Sequence, residues 1–221
     1  MQKTLRLFDT TVGKKAIVAA TGVVLYGFVV VHMLGNLQVF LGRDVFNAYA
    51  ATLKGTPALL WGARLTLLGS VVAHVLMSLS LVAASAAARP VGYRVRRYRV
   101  TSSAALTMKW GGPALALFIL FHLAHLTFPG IAMGSYKHSH VDVYENFVNA
   151  FSIWWVAAIY IAAQVCLGMH LYHGAQSLFQ TLGLSHPRYE KLKLMGPPAL
   201  GLAVAAGNII MPLAVLAGIV H

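Results

Sequence analysis

Five long apolar stretches make up most of this chain and constrain its fold more than any other feature. They lie at about residues 16–40, 57–88, 104–128, 150–180 and 197–220 of the 221 residues. A helix needs roughly 20 apolar residues to cross the hydrocarbon of a bilayer, and each stretch has that length. Charged residues make up only 10% of the chain, against about 25% in ordinary soluble domains. The sequence therefore predicts an all-α integral membrane protein with five transmembrane helices, forming a single domain over residues 1–221.

The first stretch follows two basic residues, Lys14 and Lys15, as the core of a secretory signal peptide does. It is longer than such a core, and no small-residue cleavage site precedes its polar end. We therefore expect it to remain in the protein as a helix. Because five helices leave little chain for a domain outside the membrane, we expect any enzyme served by this protein to carry its substrate site on another subunit.

Basic residues beside the apolar stretches indicate which side faces the cytoplasm, because lysine and arginine accumulate there. One side of the predicted topology carries most of them, namely Lys3, Arg6, Lys14, Lys15, Arg89, Arg94, Arg96, Arg97, Arg99, Lys109, Arg188, Lys191 and Lys193. The other side carries Arg43, Lys54 and Lys137. The sequence thus predicts a multi-pass protein of the cell inner (cytoplasmic) membrane, with a cytoplasmic N-terminus and an external C-terminus.

A formal net charge of +12 would also suit a nucleic-acid-binding protein. Most of the basic residues lie beside predicted membrane helices, however, where anionic lipid and topology account for them. We expect membrane lipid, and no nucleic acid, as the partner of these residues. The basic run at 94–99, with Tyr93 and Tyr98, predicts either contact with lipid headgroups or a platform for a peripheral subunit.

The chain has one cysteine, Cys166, inside the fourth apolar stretch. A lone cysteine forms neither an internal disulfide nor the thiolate cluster that an iron–sulfur centre needs. If the function requires such a centre, another subunit supplies it.

Each of the first four apolar stretches contains one deeply placed histidine: His32, His74, His122 and His170. Ionisable side chains are costly in hydrocarbon and mark functional sites there. With a helical rise of about 1.5 Å per residue, these histidines fall at two depths. His32 and His122 form an outer pair and His74 and His170 an inner pair, separated by roughly half of the ~30 Å hydrocarbon thickness.

Two matched pairs of imidazoles on neighbouring helices are typical of bis-histidine haem sites. A six-coordinate haem iron takes one imidazole on each face of the porphyrin, which leaves no open position and suits electron transfer. The sequence therefore predicts two haem b groups in a bundle of four haem-ligating helices, accompanied by a fifth helix. His125 follows His122 by three residues, and His173 follows His170 by three, so each shares a helix face with its neighbour. The pattern alone does not choose within either set.

Several segments resemble the cytochrome b558 subunit of succinate dehydrogenase and fumarate reductase. They are His32-Met33-Leu34-Gly35-Asn36-Leu37-Gln38-Val39-Phe40, Phe46-Asn47-Ala48-Tyr49-Ala50, Leu60-Trp61, Arg64-Leu65 with His74, Ala88-Arg89-Pro90 with Tyr93, Phe121-His122-Leu123 with Leu126-Thr127, and His170-Leu171-Tyr172-His173-Gly174 through Ser177, Gln180 and Leu182-Gly183-Leu184. The resemblance covers about residues 10–190.

This resemblance implies a five-helix dihaem anchor with a flavoprotein subunit and an iron–sulfur subunit on its cytoplasmic face. It implies a quinone, menaquinone or ubiquinone, as the membrane substrate, and a subunit that carries electrons but does not act on succinate itself. The resemblance favours His122 over His125 as the outer ligand. It favours His170 as the inner ligand, with His173 as the alternative. The direction of electron flow, towards quinone or towards fumarate, stays open.

Two basic residues lie close to the predicted haem levels. Arg64 lies about ten residues outward of His74, near the outer level, where a guanidinium needs an anionic partner. We expect that partner to be an outer-haem propionate; water or a quinone oxygen is the alternative. Relatives have Ser-Arg where this chain has Ala105-Leu106, so Lys109 either replaces that contact, reaching an inner-haem propionate, or is an ordinary interfacial lysine.

Other readings of the histidines and an open question remain. The HxxH spacing at 122–125 and 170–173 also occurs in membrane di-iron oxygenases and desaturases, whose histidines converge at one membrane face. A metal-ion or proton transporter would also use buried histidines, although such pathways usually include intramembrane carboxylates.

The sequence does not assign the quinone site. Residues that qualify are Gln38, His138 and His140 on the outer side and Arg89, Lys109 and Trp110 on the inner side.

Overall fold

The computed structural model describes residues 9–89, 91, 102–128, 138–184 and 186–221, which form helices and no β-strand. The helices are α1 (Thr11–Asn36), α2 (Arg43–Lys54), α3 (Pro57–Ala87), α4 (Ser103–His122), α5 (Val143–Phe151), α6 (Trp154–Thr181) and α7 (Glu190–Leu216). Short 3₁₀ turns, Leu37–Leu41 and Pro187–Tyr189, extend α1 and precede α7, and a π-helical turn, Leu123–Thr127, extends α4.

Five of these helices, α1, α3, α4, α6 and α7, are long and apolar enough to cross a membrane. The predicted fold class is therefore confirmed. The first span begins at Thr11, earlier than expected, because the Thr10 side chain caps the helix by accepting a hydrogen bond from the Gly13 N–H at 3.0 Å. The expected start of the fifth span near residue 197 is wrong, since Pro197 and Pro198 lie inside α7. Neighbouring groups make such prolines tolerable in membrane helices.

Two short amphipathic helices, α2 and α5, were not expected, and α5 moves the start of the fourth span from about residue 150 to Trp154. They follow α1 and precede α6, so both lie at one end of the bundle, which we call the capped end. Helix α2 starts after Gly42, whose φ of 95° favours glycine. Asp44 in its first turn and Lys54 in its last turn complement the helix dipole.

Polar contacts join α2 to α5. The Asp142 carboxylate caps α5 by accepting from the Glu145 N–H, and it also accepts from the Asn47 amide at 3.0 Å. Arg43 pairs with both Asp142, at 2.9 Å, and Glu145. Beneath these contacts lies an apolar core, formed by Val39, Phe46, Tyr144, Phe147, Phe151, Val156, Ala157, Tyr160, Met211, Ala214, Val215 and Val220.

Replacing Asp142 with alanine should lower the stability of the solubilised protein by about 1–2 kcal/mol, because it removes a helix cap and its links to α2. The hydrogen bond from Asn47 contributes most to holding the pKa of Asp142 below its ordinary value, followed by that from the Glu145 N–H. A carboxyl group with a lowered pKa stabilises the fold above its ordinary pKa, near 3.8. This contribution is therefore present at pH 7 and is lost as the pH falls below about 4.

Thermal unfolding in detergent, at pH 7 and at decreasing pH, measures this effect. Asp44→Ala is the matched control, since Asp44 is exposed in the first turn of α2. Equal unfolding midpoints for the two variants at pH 7 would contradict the assigned role of Asp142.

Candidate functional site: two histidine pairs

The packing of four helices defines the interior in which the histidines lie. Helix α1 packs on α3 and α6, and α6 also packs on α4 and α7. In contrast, backbone contact is marginal at most between α1 and α4 and between α3 and α6, over the residues described. Helices α1 and α4 therefore face each other across the bundle, as do α3 and α6.

Each histidine pair joins two facing helices. The ring centres of His32 on α1 and His122 on α4 lie 5.9 Å apart, with their planes at 83°. Those of His74 on α3 and His170 on α6 lie 6.1 Å apart, at 53°. The structure thus brings together both pairs that the sequence predicted to share a depth.

The separation of the two pairs along the bundle can be measured on α1 and on α6, because each of these helices carries a histidine of one pair and contacts a histidine of the other pair. On α1, the Thr21 hydroxyl lies 3.1 Å from Nδ1 of His74, and His32 follows Thr21 by eleven residues. On α6, the Tyr160 hydroxyl lies 3.3 Å from Nδ1 of His122, and His170 follows Tyr160 by ten residues. With the helical rise, both intervals place the two pairs about 15 Å apart along the bundle.

The separation within each pair suits one metal ion between two imidazoles. A bond from a metal ion to an imidazole nitrogen is about 2 Å, and the ring centre lies roughly 1 Å behind that nitrogen, which gives about 6 Å between the two ring centres. Both pairs have this separation. The residues present therefore fit a bis-histidine metal centre at each level.

Side chains of the bundle do not enclose the paired histidines. Over its 31 residues, α3 buries none. Of the four paired histidines, His32 is exposed and the other three are half-buried, although all four rings meet a partner across the bundle. A Cβ added at any of several glycines of these helices would meet no atom within 4 Å; these are Gly27, Gly69, Gly111, Gly112 and Gly174. The paired rings are thus only partly covered by the side chains around them.

Hydrogen bonds orient two of the four histidines. The Thr21 hydroxyl donates to the Ile17 carbonyl at 2.7 Å, which leaves its oxygen free to accept a hydrogen bond from Nδ1 of His74. Nε2 of His74 then has a free lone pair, as a metal ligand needs. Nδ1 of His122 is held similarly by Tyr160. Neither Thr21 nor Tyr160 was singled out in the sequence, because their hydroxyls act across helices.

The other two paired histidines differ from this pattern. Nδ1 of His170 is buried and has no hydrogen-bond partner among the residues described. Nε2 of His32 accepts from the Asn36 amide at 3.1 Å, so Asn36 must move aside before that nitrogen binds a metal.

The structure also separates the competing histidines within each HxxH sequence. His125 lies in the π-helical turn, is only 1% exposed, and binds the Tyr160 hydroxyl through Nδ1 at 3.0 Å. His122 is the one that meets His32. In the fourth span it is His170 that lies at ring-contact distance from His74.

The two predicted basic residues have aromatic neighbours. The Arg64 guanidinium carbon lies 5.0 Å from the centre of the Trp61 ring and 5.8 Å from that of Phe128, which is a cation–π arrangement near the capped end. Lys109 is exposed on α4, and its ammonium lies 5.3 Å from the centre of the Trp110 ring. Their assignment to haem propionates thus stays a prediction from the sequence.

The structure places the predicted quinone residues only in part. His138 and His140 lie together before α5, with ring centres 5.7 Å apart, and the Lys54 ammonium donates to the His140 carbonyl at 2.7 Å. Burial, followed by the nearby His140 and Lys54, lowers the pKa of His138 and keeps it neutral at pH 7.

The basic run 94–99, with Tyr93 and Tyr98, lies outside the described residues, as do Lys3, Arg6, Pro90 and Lys137.

Within the described part of the chain, no three His, Cys, Asp or Glu side chains converge as a multi-ligand metal site would require. Four of its histidines instead lie in two ring pairs, His32 with His122 and His74 with His170. Comparison of the chain with family models, curated proteins and solved structures finds no match.

Proposed function

We propose that this chain is the membrane-anchoring dihaem cytochrome b subunit of a succinate:quinone oxidoreductase. The observation that carries the proposal is the ring-centre separation in the histidine pairs, 5.9 and 6.1 Å on two sets of facing helices. One such pair would also suit an isolated metal ion. Two pairs about 15 Å apart, whose rings stay partly exposed although they meet across the bundle, support two planar groups stacked through the membrane.

The histidines divide between two haem sites. His32 and His122 hold the outer haem, and His74 and His170 hold the inner haem, with His173 as the alternative to His170. Haem b, when bound by two imidazoles, supplies a one-electron centre with no open coordination position. Thr21 and Tyr160 orient two of the ligand rings through their Nδ1 atoms, and Tyr160 also belongs to the apolar core at the capped end.

The proposed subunit passes electrons between a cytoplasmic iron–sulfur protein and membrane quinone, and it has no site for succinate. The flavoprotein and iron–sulfur subunits bind at the end opposite to α2 and α5, where most basic residues lie in the sequence. We further propose the cell inner membrane as the location, with that end in the cytoplasm.

Purification of the chain from membranes in detergent tests the proposal. We expect a reduced-minus-oxidised spectrum of low-spin haem b and a pyridine haemochrome value of two haems per chain. Co-purification of a flavoprotein and an iron–sulfur protein, with succinate:quinone activity in the complex, would identify the partners. A colourless protein that binds zinc or non-haem iron instead would refute the proposal.

A further inference from the structure

The Tyr160 hydroxyl lies between two histidines. It is 3.3 Å from Nδ1 of His122 and 3.0 Å from Nδ1 of His125. The Tyr160 ring is buried and is held by edge contacts with Phe118 and Phe151, at centroid distances of 5.0 and 4.9 Å. The hydroxyl therefore has a well-defined position behind one histidine of the outer pair.

A hydroxyl both donates and accepts, so Tyr160 can accept from one of these histidines and donate to the other. If Nε2 of His122 binds iron, as proposed above, its proton lies on Nδ1 and is donated to the Tyr160 oxygen. The Tyr160 proton can then be donated to Nδ1 of His125, which lies 3.0 Å away. The ligand role of His122 thus sets the direction of its own contact with Tyr160, and His125 offers an acceptor for the hydroxyl proton.

His125 is placed to receive that proton. It lies in a π-helical turn, a feature often found at functional sites, and its ring stacks on Phe121 at 5.5 Å. The Nε2 atom of His125 is buried without a hydrogen-bond partner among the described residues. The Nδ1 atom of the same ring is hydrogen-bonded to the Tyr160 hydroxyl. Burial of a polar atom without a partner costs about 1–3 kcal/mol, so the hydrogen bond to Tyr160 matters for holding this ring.

The inner pair has a different arrangement behind its ligand. There the oxygen that accepts from His74 belongs to Thr21, whose proton goes to the Ile17 carbonyl of the same helix. The two sites thus have chemically distinct partners, a tyrosine backed by an imidazole and a threonine backed by a peptide carbonyl. Each site therefore supplies a control for the other.

We propose that Tyr160 and His125 are positioning residues of the outer haem site. Tyr160 holds the proton of His122 on Nδ1 and fixes the ring, and His125 polarises the Tyr160 hydroxyl. This inference rests on the proposed function, since it needs His122 as an iron ligand. A hydrogen bond accepted from the far nitrogen makes an imidazole a stronger donor to the metal, so the contact stabilises ferric iron and lowers the reduction potential of the outer haem.

Potentiometric titration of the haem-loaded protein tests the proposal with matched variants. Tyr160→Phe should raise the potential of the outer haem alone, by roughly a tenfold change in the reduction equilibrium, or about 59 mV for one electron. Thr21→Val should raise the potential of the inner haem alone. The electron paramagnetic resonance spectrum of the affected haem should change as well, because its anisotropy depends on the angle between the two imidazole planes.

A second pair of variants decides the matter if Tyr160→Phe loses the outer haem. His125→Asn keeps an acceptor near the position of Nδ1 and should retain the wild-type potential, whereas His125→Leu removes the acceptor and should raise it. Equal outer-haem potentials in these two variants, or unchanged potentials in a dihaem Tyr160→Phe protein, would overturn the inference. A wild-type protein without haem would instead refute the proposed function.

Discussion

Under the proposed function, replacing His122 with alanine is expected to remove one of two haems and to leave the other in place. The reason is that its pair and the His74–His170 pair lie about 15 Å apart along the bundle and share no ligand. Sites separated by more than about 10 Å usually behave independently. His32→Ala should have the same effect as His122→Ala, and His74→Ala and His170→Ala should each remove the other haem. The haem content of each purified variant and its reduced spectrum measure the loss.

Combinations of these substitutions sharpen the test. A double variant within one pair should lose no more haem than either single variant, whereas a double variant across the pairs should lose both haems. His125→Ala and His173→Ala are the matched controls and should retain both. Loss of a haem in His173→Ala, with both haems retained in His170→Ala, would show that His173 and not His170 is the inner ligand. Loss of both haems in every single variant would contradict two independent sites.

Gly201→Leu is expected to disrupt the contact between α6 and α7. The two helices approach closely at Gly168 and Gly201, where a Cβ on Gly168 would lie 3.0 Å from the Gly201 carbonyl oxygen and one on Gly201 would lie 2.5 Å from that of Gly168. Small residues permit such close packing between membrane helices. Because backbone atoms cannot move aside as side chains do, we expect a loss of about 3 kcal/mol, the upper end for overpacking.

Thermal unfolding of the solubilised protein, followed by circular dichroism, measures this loss. Gly62→Leu is the matched control, since an added Cβ there meets no atom within 4 Å. It should leave the unfolding midpoint close to the wild-type value. Equal midpoints for the two variants would show that the close approach of α6 and α7 contributes little to stability.

The sequence was sufficient to predict the five spans and the two histidine levels. Hydrocarbon thickness sets the length of an apolar stretch, and the regular helical rise converts residue numbers into depth. The helices α2 and α5 were missed because they are short and carry polar residues, such as Arg43 and Asn47, that resemble those of a loop. Their apolar residues, including Phe46 and Phe147, contact each other only where the two helices pack together, and the sequence does not show that packing.

The partners of the histidines could not be predicted in the same way. Which hydroxyl faces which ring depends on the rotation of each helix about its axis. The spacing of residues along the chain gives their depth but not this rotation. Thr21 and His74 meet across two helices, as do Tyr160 and His122. The π-helical turn is a further example, since its i→i+5 hydrogen bond from Phe128 to Leu123 changes the direction of His125.

The weak attachment of α3 has a consequence for how the protein is assembled. This helix buries none of its residues, and among the described residues it packs mainly on α1, with a smaller contact to α2. Coordination of one haem iron by His74 and His170 would therefore link α3 to α6, whereas α3 otherwise packs mainly on α1. Under the proposed function, haem delivery and completion of the bundle are a single maturation step, and cells short of haem should accumulate a chain that proteases cut readily next to α3.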